Sequence, residues 1–214
     1  MTSTWQTLYM VFVAGFTAAF IGLPVGVALF VTRKGQIKEN YSLNTTLSTI
    51  VNIGRSIPFV ILLVAIIPFT KIVMGIFLGY KTFIGTSAAI VPLSVAAIPF
   101  YARLVEGALL EIPSGLTEAA RAMGASHFQI IYKFFLPESL PSLLNGLTIT
   151  LIAMVDYSAM AGVVGGGGLG YVGLQYGYQQ YRPDILFVVV VILVIIVQII
   201  QMVGDYLVNR CSKN

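Results

Sequence analysis

The first 32 residues of the chain carry no charged side chain. A helix needs roughly 20 predominantly apolar residues to cross a bilayer, so the stretch 7–32 is long enough. Uncharged runs return at 82–102 and 185–204, and a fourth run, 140–164, is interrupted by Asp156 alone. Of the 214 residues, 9% are charged and 57% are hydrophobic, with a mean hydropathy of +0.92. A soluble domain carries about 25% charge, and this chain lacks the polar groups to cover itself in water. The same apolar mass excludes a disordered chain. What remains is an all-α, polytopic membrane bundle.

Five spans are expected in one transmembrane domain over 1–214: about 7–32, 46–70, 82–102, 140–164 and 185–206. The second is the least regular, because 46–70 must take in Arg55, placed near its cytoplasmic end where a long side chain can snorkel. No basic region precedes the first span, which argues against a signal peptide. Arg33, Lys34 and Lys38 follow it directly, so they are expected inside and the N-terminus outside. Five spans then put the C-terminus in the cytoplasm. Arg33, Lys34, Lys38, Arg55, Arg103, Arg121, Lys133, Arg210 and Lys213 fall inside, against Lys71, Lys81 and Arg182 outside, as the positive-inside rule requires. The net charge of +4 follows from that topology and needs no nucleic-acid partner. Pro24, Pro58, Pro92, Pro99 and Pro141 lie within spans, where neighbouring helices can re-satisfy the freed carbonyls.

Cys211 is the sole cysteine and His127 the sole histidine, too little for an internal disulfide or a Cys/His metal centre. Gly168-x-Gly170-x-x-Gly173 formally fits a dinucleotide fingerprint, but it follows a membrane helix rather than a strand, so it is set aside. No G-x-x-x-x-G-K-[ST] occurs, so no ATP, Mg or other cofactor is expected on this chain.

The polar chemistry concentrates in one inner loop, 107–137. Pro113 suits the start of a short helix. Leu116, Ala119, Ala120 and Met123 fall at helical spacing on one smooth apolar face, with Glu118 and Arg121 beside it. Gly124 suits a left-handed stop, and Ser126 with Gln129 forms a capping box for a second helix. Two readings are open for this helix–turn–helix: a hairpin resting on lipid, or a docking surface for a soluble partner.

The run Glu118-Ala119-Ala120, three residues, Gly124, nine residues, Phe134-Phe135-Leu136-Pro137 resembles the E-A-A-x3-G-x9-I-x-L-P loop of ABC importer permeases, departing only by Phe134 where Ile is usual. Arg55-Ser56-Ile57-Pro58-Phe59, Ala89-Ile90-Val91-Pro92, Tyr101-Ala102-Arg103-Leu104-Val105-Glu106 and Tyr157-Ser158-Ala159-Met160-Ala161-Gly162 are similar to the methionine importer permeases within that family. The resemblance implies a five-span homodimer in the bacterial plasma (inner) membrane. It also implies two ATPase subunits that bind ATP and Mg and hydrolyse the ATP, and an extracytoplasmic lipoprotein that binds methionine. On that footing Glu118, Ala119, Ala120, Met123 and Gly124 are coupling residues, and the solute is L-methionine and its D-form. Another small amino acid or organic solute is the alternative. An ion-coupled secondary transporter is disfavoured, because no paired intramembrane charges or inverted repeats are evident.

Met160, flanked by small residues, is expected to narrow the path near the dimer axis, or else to pack in the core. Ser158 and Asp156 are the polar candidates beside it. Asp156 is read as the only carboxylate deep in a span, a position that favours function. Gly22-x3-Gly26, Gly75-x3-Gly79 and Gly162-x3-Gly166 permit close helix contacts, including those of a dimer. Tyr171, Tyr176, Tyr178 and Tyr181 form either an interfacial aromatic belt or a landing surface for the binding protein.

Overall fold

A computed structural model describes residues 2–212; Lys213, counted above among the inner charges, lies outside them. Among the described residues there is no strand. Four helices are long and apolar enough to cross a membrane. They are α1 (Thr2–Thr32), α5 (Thr86–Leu110), α8 (Leu140–Ala161, extending as a tight turn to Val164) and α10 (Pro183–Ser212). Between them lie α2 (Tyr41–Ser56), α3 (Phe59–Ala65) and α4 (Ile67–Leu78), then α6 (Ser114–Ala122), α7 (127–138) and α9 (Gly168–Val172).

The expected span 46–70 is not one rod. α2 and α3 meet at a bend of 101°. Pro58 disfavours the helical region for the residue before it, and Ile57 is extended, with φ −82° and ψ 123°. α2 begins at Asn40, whose side chain accepts the Leu43 N–H at 3.0 Å. Arg55 therefore sits about 21 Å along the helix from Tyr41, in the last turn before the bend, and is exposed on the protomer.

The third span starts at Thr86 rather than 82 and continues past 102 to Leu110. Charge counting stops a span at Arg103, but the helix does not need to stop, because Arg103 and Glu106 pair with each other one turn apart. In α1 a π turn, Ala18–Gly22, precedes Pro24; such turns re-register a helix locally where its hydrogen-bond ladder is interrupted.

α5 is the hub. Its buried side includes Leu93, Ala97, Tyr101, Ala102, Val105 and Leu109, and α1, α2 and α8 pack around it. Gly22 and Gly26 let α1 lie close against Ile98, Ala102 and Val105, the close backbone approach expected of a small-x3-small pair. Their contact is within the protomer. So is that of Gly162 and Gly166, which face α9, Ala161 and Ala89. Gly79 instead stops α4 in the left-handed conformation, φ +76°. Gly22–Gly26 and Gly162–Gly166 thus make close contacts within one protomer. α10 is mostly unburied within the protomer, with Val189, Ile196, Ile200 and Gly204 turned inward.

Candidate functional site

The inner elbow is built by backbone rules. α6 follows Pro113, which holds φ −61° and ψ 136°. At its end Gly124 is left-handed, φ +75°. Its N–H donates to the Arg121 carbonyl at 2.9 Å, and the Ala125 N–H donates to the Ala120 carbonyl at 3.1 Å. That pair of bonds is a Schellman motif, which satisfies carbonyls a helix end leaves open. One residue on, the capping box is complete: the Gln129 N–H donates to Ser126 Oγ at 3.4 Å and the Ser126 N–H to Gln129 Oε1 at 2.8 Å. Two closed caps back to back make the corner between α6 and α7 rigid.

The elbow is fastened to the bundle from below. Ala120, Ile130 and Phe135 are buried, and the Phe135 ring meets Phe30 of α1 edge-on at 5.3 Å. Glu111 accepts a hydrogen bond from Ser142 Oγ at 2.8 Å, tying the end of α5 to the start of α8. The apolar face read from spacing divides: Ala120 and Leu116 turn inward, whereas Ala119 and Met123 are exposed alongside Glu118. Met123 is 67% exposed, Phe128 75% and Tyr132 64%, and the last two rings stack at 6.2 Å. A one-sided apolar surface of this kind marks a contact for another molecule.

At the other end of α8, Asp156 and Met160 are both exposed on the protomer, one turn apart. Ser158 is not with them: it is buried and its hydroxyl donates to the Val155 carbonyl at 2.7 Å. The buried carboxylate of the bundle is Glu106, not Asp156. It pairs with Arg103 and lies 3.7 Å from Arg33. Arg103 also donates to Ser48 and, at 2.8 Å, to Asn52. This network clasps α1, α2 and α5 at the end that carries the elbow. An Arg and a Glu three residues apart on one helix were its visible signal.

After α8 the chain turns through the four-glycine run. Gly165, Gly167 and Gly168 have φ between +77° and +83°, a conformation open to glycine at little cost. The run is pinned from three sides. Gly85 of the segment before α5 donates to the Gly165 carbonyl, 3.0 Å. Gln6 Oε1 accepts the Gly168 N–H, 3.0 Å, and Thr7 Oγ1 accepts the Leu169 N–H, 2.9 Å. Gln6 and Thr7 were missed by sequence reasoning, since nothing local links them to residues 162 positions away. α9 then lies flush on α8 where Gly170 faces the Ala159 backbone and Gly162 faces Tyr171, beside Met160. Beyond it, the Arg182 side chain donates to Asp184 at 3.0 Å. Tyr181 and Tyr178 stand exposed nearby.

A bundle of long apolar helices with a capped, apolar-faced elbow on one end and a pinned glycine-rich segment on the other has the architecture of a membrane permease subunit. Residues 18–213 match the family of binding-protein-dependent transport system inner membrane components. The chain belongs to that family and is a multi-pass inner-membrane protein. It is 57% identical over 210 residues to a probable D-methionine transport system permease protein of Vibrio cholerae, spanning 98% of this chain and 91% of that one. To the D-methionine transport system permease protein of Escherichia coli K12 it is 61% identical over 158 residues, 74% and 70% of the two chains. Among solved structures, it superimposes on the inward-facing MetNI methionine ABC transporter with a TM-score of 0.94 at 57% identity, covering 98% and 94%. An amino acid ABC transporter crystallised with histidines shares the fold, with a TM-score of 0.78 at 18% identity over 98% and 92%.

Proposed function

We propose that this chain is the translocating subunit of an ATP-binding-cassette importer for methionine, in its L- and D-forms. The observation that carries the reading is the likeness, over nearly the whole chain, to the permease of a methionine ABC transporter. In the working assembly two copies line one path, two ATPase subunits bind and hydrolyse ATP, and an extracytoplasmic lipoprotein delivers the solute.

The elbow explains how an external engine moves the bundle. Glu118, Ala119, Met123 and Gly124 meet the ATPase, while Ala120 seats the elbow on the bundle. The two caps leave the corner little freedom to absorb a push. Displacement of α6 passes through Phe135 to α1 and through Glu111 to α8. Met160 of each copy closes the path, Asp156 stands one turn from it on the same exposed side, and Ser158 fixes the backbone between them. The elbow faces the cytoplasm, with the N-terminus outside and the C-terminus inside. Supporting this, Arg33, Arg103, Arg121 and Lys133 gather at the elbow end, as the positive-inside rule asks.

The test is uptake of labelled methionine into vesicles holding this chain with and without its ATPase and binding protein. Uptake is expected only with both present and with ATP inside. Uptake by this chain alone, driven by an ion gradient, would refute the reading. Uptake of a different amino acid in methionine's place would refute the substrate.

A further inference from the structure

The break between α2 and α3 leaves a cavity of about 140 Å3. Ligand pockets for drug-sized molecules run from about 300 Å3 upward, so this one has room for a single small solute. Its walls join four helices and two kinds of chemistry. Arg55 comes from α2, Phe59 from α3, Ala96 and Phe100 from α5, and Tyr157 from α8. The Phe59 and Tyr157 rings stack in parallel at 4.7 Å, and the Arg55 guanidinium lies 5.8 Å from the centre of the Phe100 ring.

Arg55 is exposed on the protomer and differs from the arginines that are held by a carboxylate. Arg33 and Arg103 both engage Glu106, and Arg182 engages Asp184. Among the described residues Arg55 has no carboxylate within ion-pair distance and no side-chain hydrogen bond; the Phe100 ring is its neighbour. Arg55 stands in the last turn of α2, beside the bend, and its side chain lines the cavity. A cation over a ring offers the face of its guanidinium to that ring. Its N–H edge stays free, and that edge matches the two oxygens of a carboxylate. Three of the remaining wall residues are aromatic and the others are Gly54, Ile57 and Ala96, and rings receive an aliphatic or thioether side chain well.

We propose that this cavity is a transit site inside the permease for an amino acid with an apolar side chain: Arg55 receives the α-carboxylate, and Phe59, Phe100 and Tyr157 receive the side chain. The ammonium group points out of the opening and stays hydrated. The site selects after delivery and before release. The inference rests on the function proposed above for its choice of probe.

The test uses the complete permease–ATPase assembly in detergent, without binding protein, carrying Ala96→Cys on a Cys211→Ser background. Position 96 then holds this chain's sole thiol. Its reaction with a small methanethiosulfonate is followed by the mass of this chain. Millimolar methionine is expected to slow the reaction at least about three-fold. Methioninol, which lacks the carboxylate, is expected to leave it unchanged. Adding Arg55→Lys, which keeps the charge and loses the fork, is expected to abolish the protection. Equal protection by both compounds, no protection by methionine, protection that survives Arg55→Lys, or a thiol that never reacts overturns the site. Should the Arg55→Lys assembly fail to form, the methionine–methioninol contrast decides alone. Methionine uptake by the unsubstituted importer is measured in parallel. Uptake without protection removes the transit site and leaves the importer reading, whereas protection without uptake does the reverse.

Discussion

Single side chains in this bundle separate into those that hold the backbone and those that meet something else. Gly124 holds the backbone and, in the function proposed above, also meets the ATPase. A Cβ there meets nothing within 4 Å, but the backbone at φ +75° is left-handed, which costs a bulky residue about 1–2 kcal/mol. Gly124→Leu is therefore expected to leave the bundle folded, shift the corner, and cut uptake at least ten-fold while ATP hydrolysis persists. Parallel assays of uptake and phosphate release check this, and unchanged uptake would contradict it. Glu106 is purely a holder. Its side chain is nearly buried between Arg103 and Arg33, and breaking a buried pair from one side costs about 3–5 kcal/mol. Glu106→Ala is expected to lower the unfolding midpoint in detergent far more than Glu118→Ala, whose side chain is exposed. Equal effects would mean the clasp carries no stability. Residue-level roles were legible where they obey local rules: Gly124 and the Ser126–Gln129 box could be read from spacing alone. The Gln6 and Thr7 contacts could not, because their partners lie across the whole length of the chain.

At the scale of helices, glycine marks where two of them touch. α9 docks on α8 through Gly170, where any side chain would drive into the Ala159 backbone. Gly107, inside α5, faces open space. Gly170→Ala is expected to destabilise by about 1–3 kcal/mol through overpacking, and Gly107→Ala to stabilise by about 0.5–1 kcal/mol through helix propensity. Thermal unfolding of the two variants has opposite expected signs, and a shared sign would refute the assignment of contacts. The long apolar helices were legible from composition, since a run without charge has few other fates. The bend at Ile57–Pro58 was not. A hydropathy window averages over a break, and only the proline hinted at it. The extension of α5 to Leu110 was hidden for the opposite reason: paired charges look like an end when they are counted singly.

Over the whole molecule, the unburied faces of α8 and α10 await lipid or a second copy. Small-residue motifs gave no guide to which, because the protomer consumes Gly22, Gly26, Gly162 and Gly166 internally. In the assembly proposed above, Met160 of the two copies lies near one axis. Met160→Cys on a Cys211→Ser background is expected to crosslink across that axis in the resting assembly and to lose the crosslink as ATP is turned over. A bridge that never forms under oxidation would remove Met160 from the constriction.

The elbow's shape is written in backbone bonds, whereas Met123, Phe128 and Tyr132 merely decorate it. Form and address are therefore separable. Those three side chains can be exchanged as a set without refolding the corner, so a permease could be re-addressed to a foreign ATPase, and two importers in one cell kept from borrowing each other's motors.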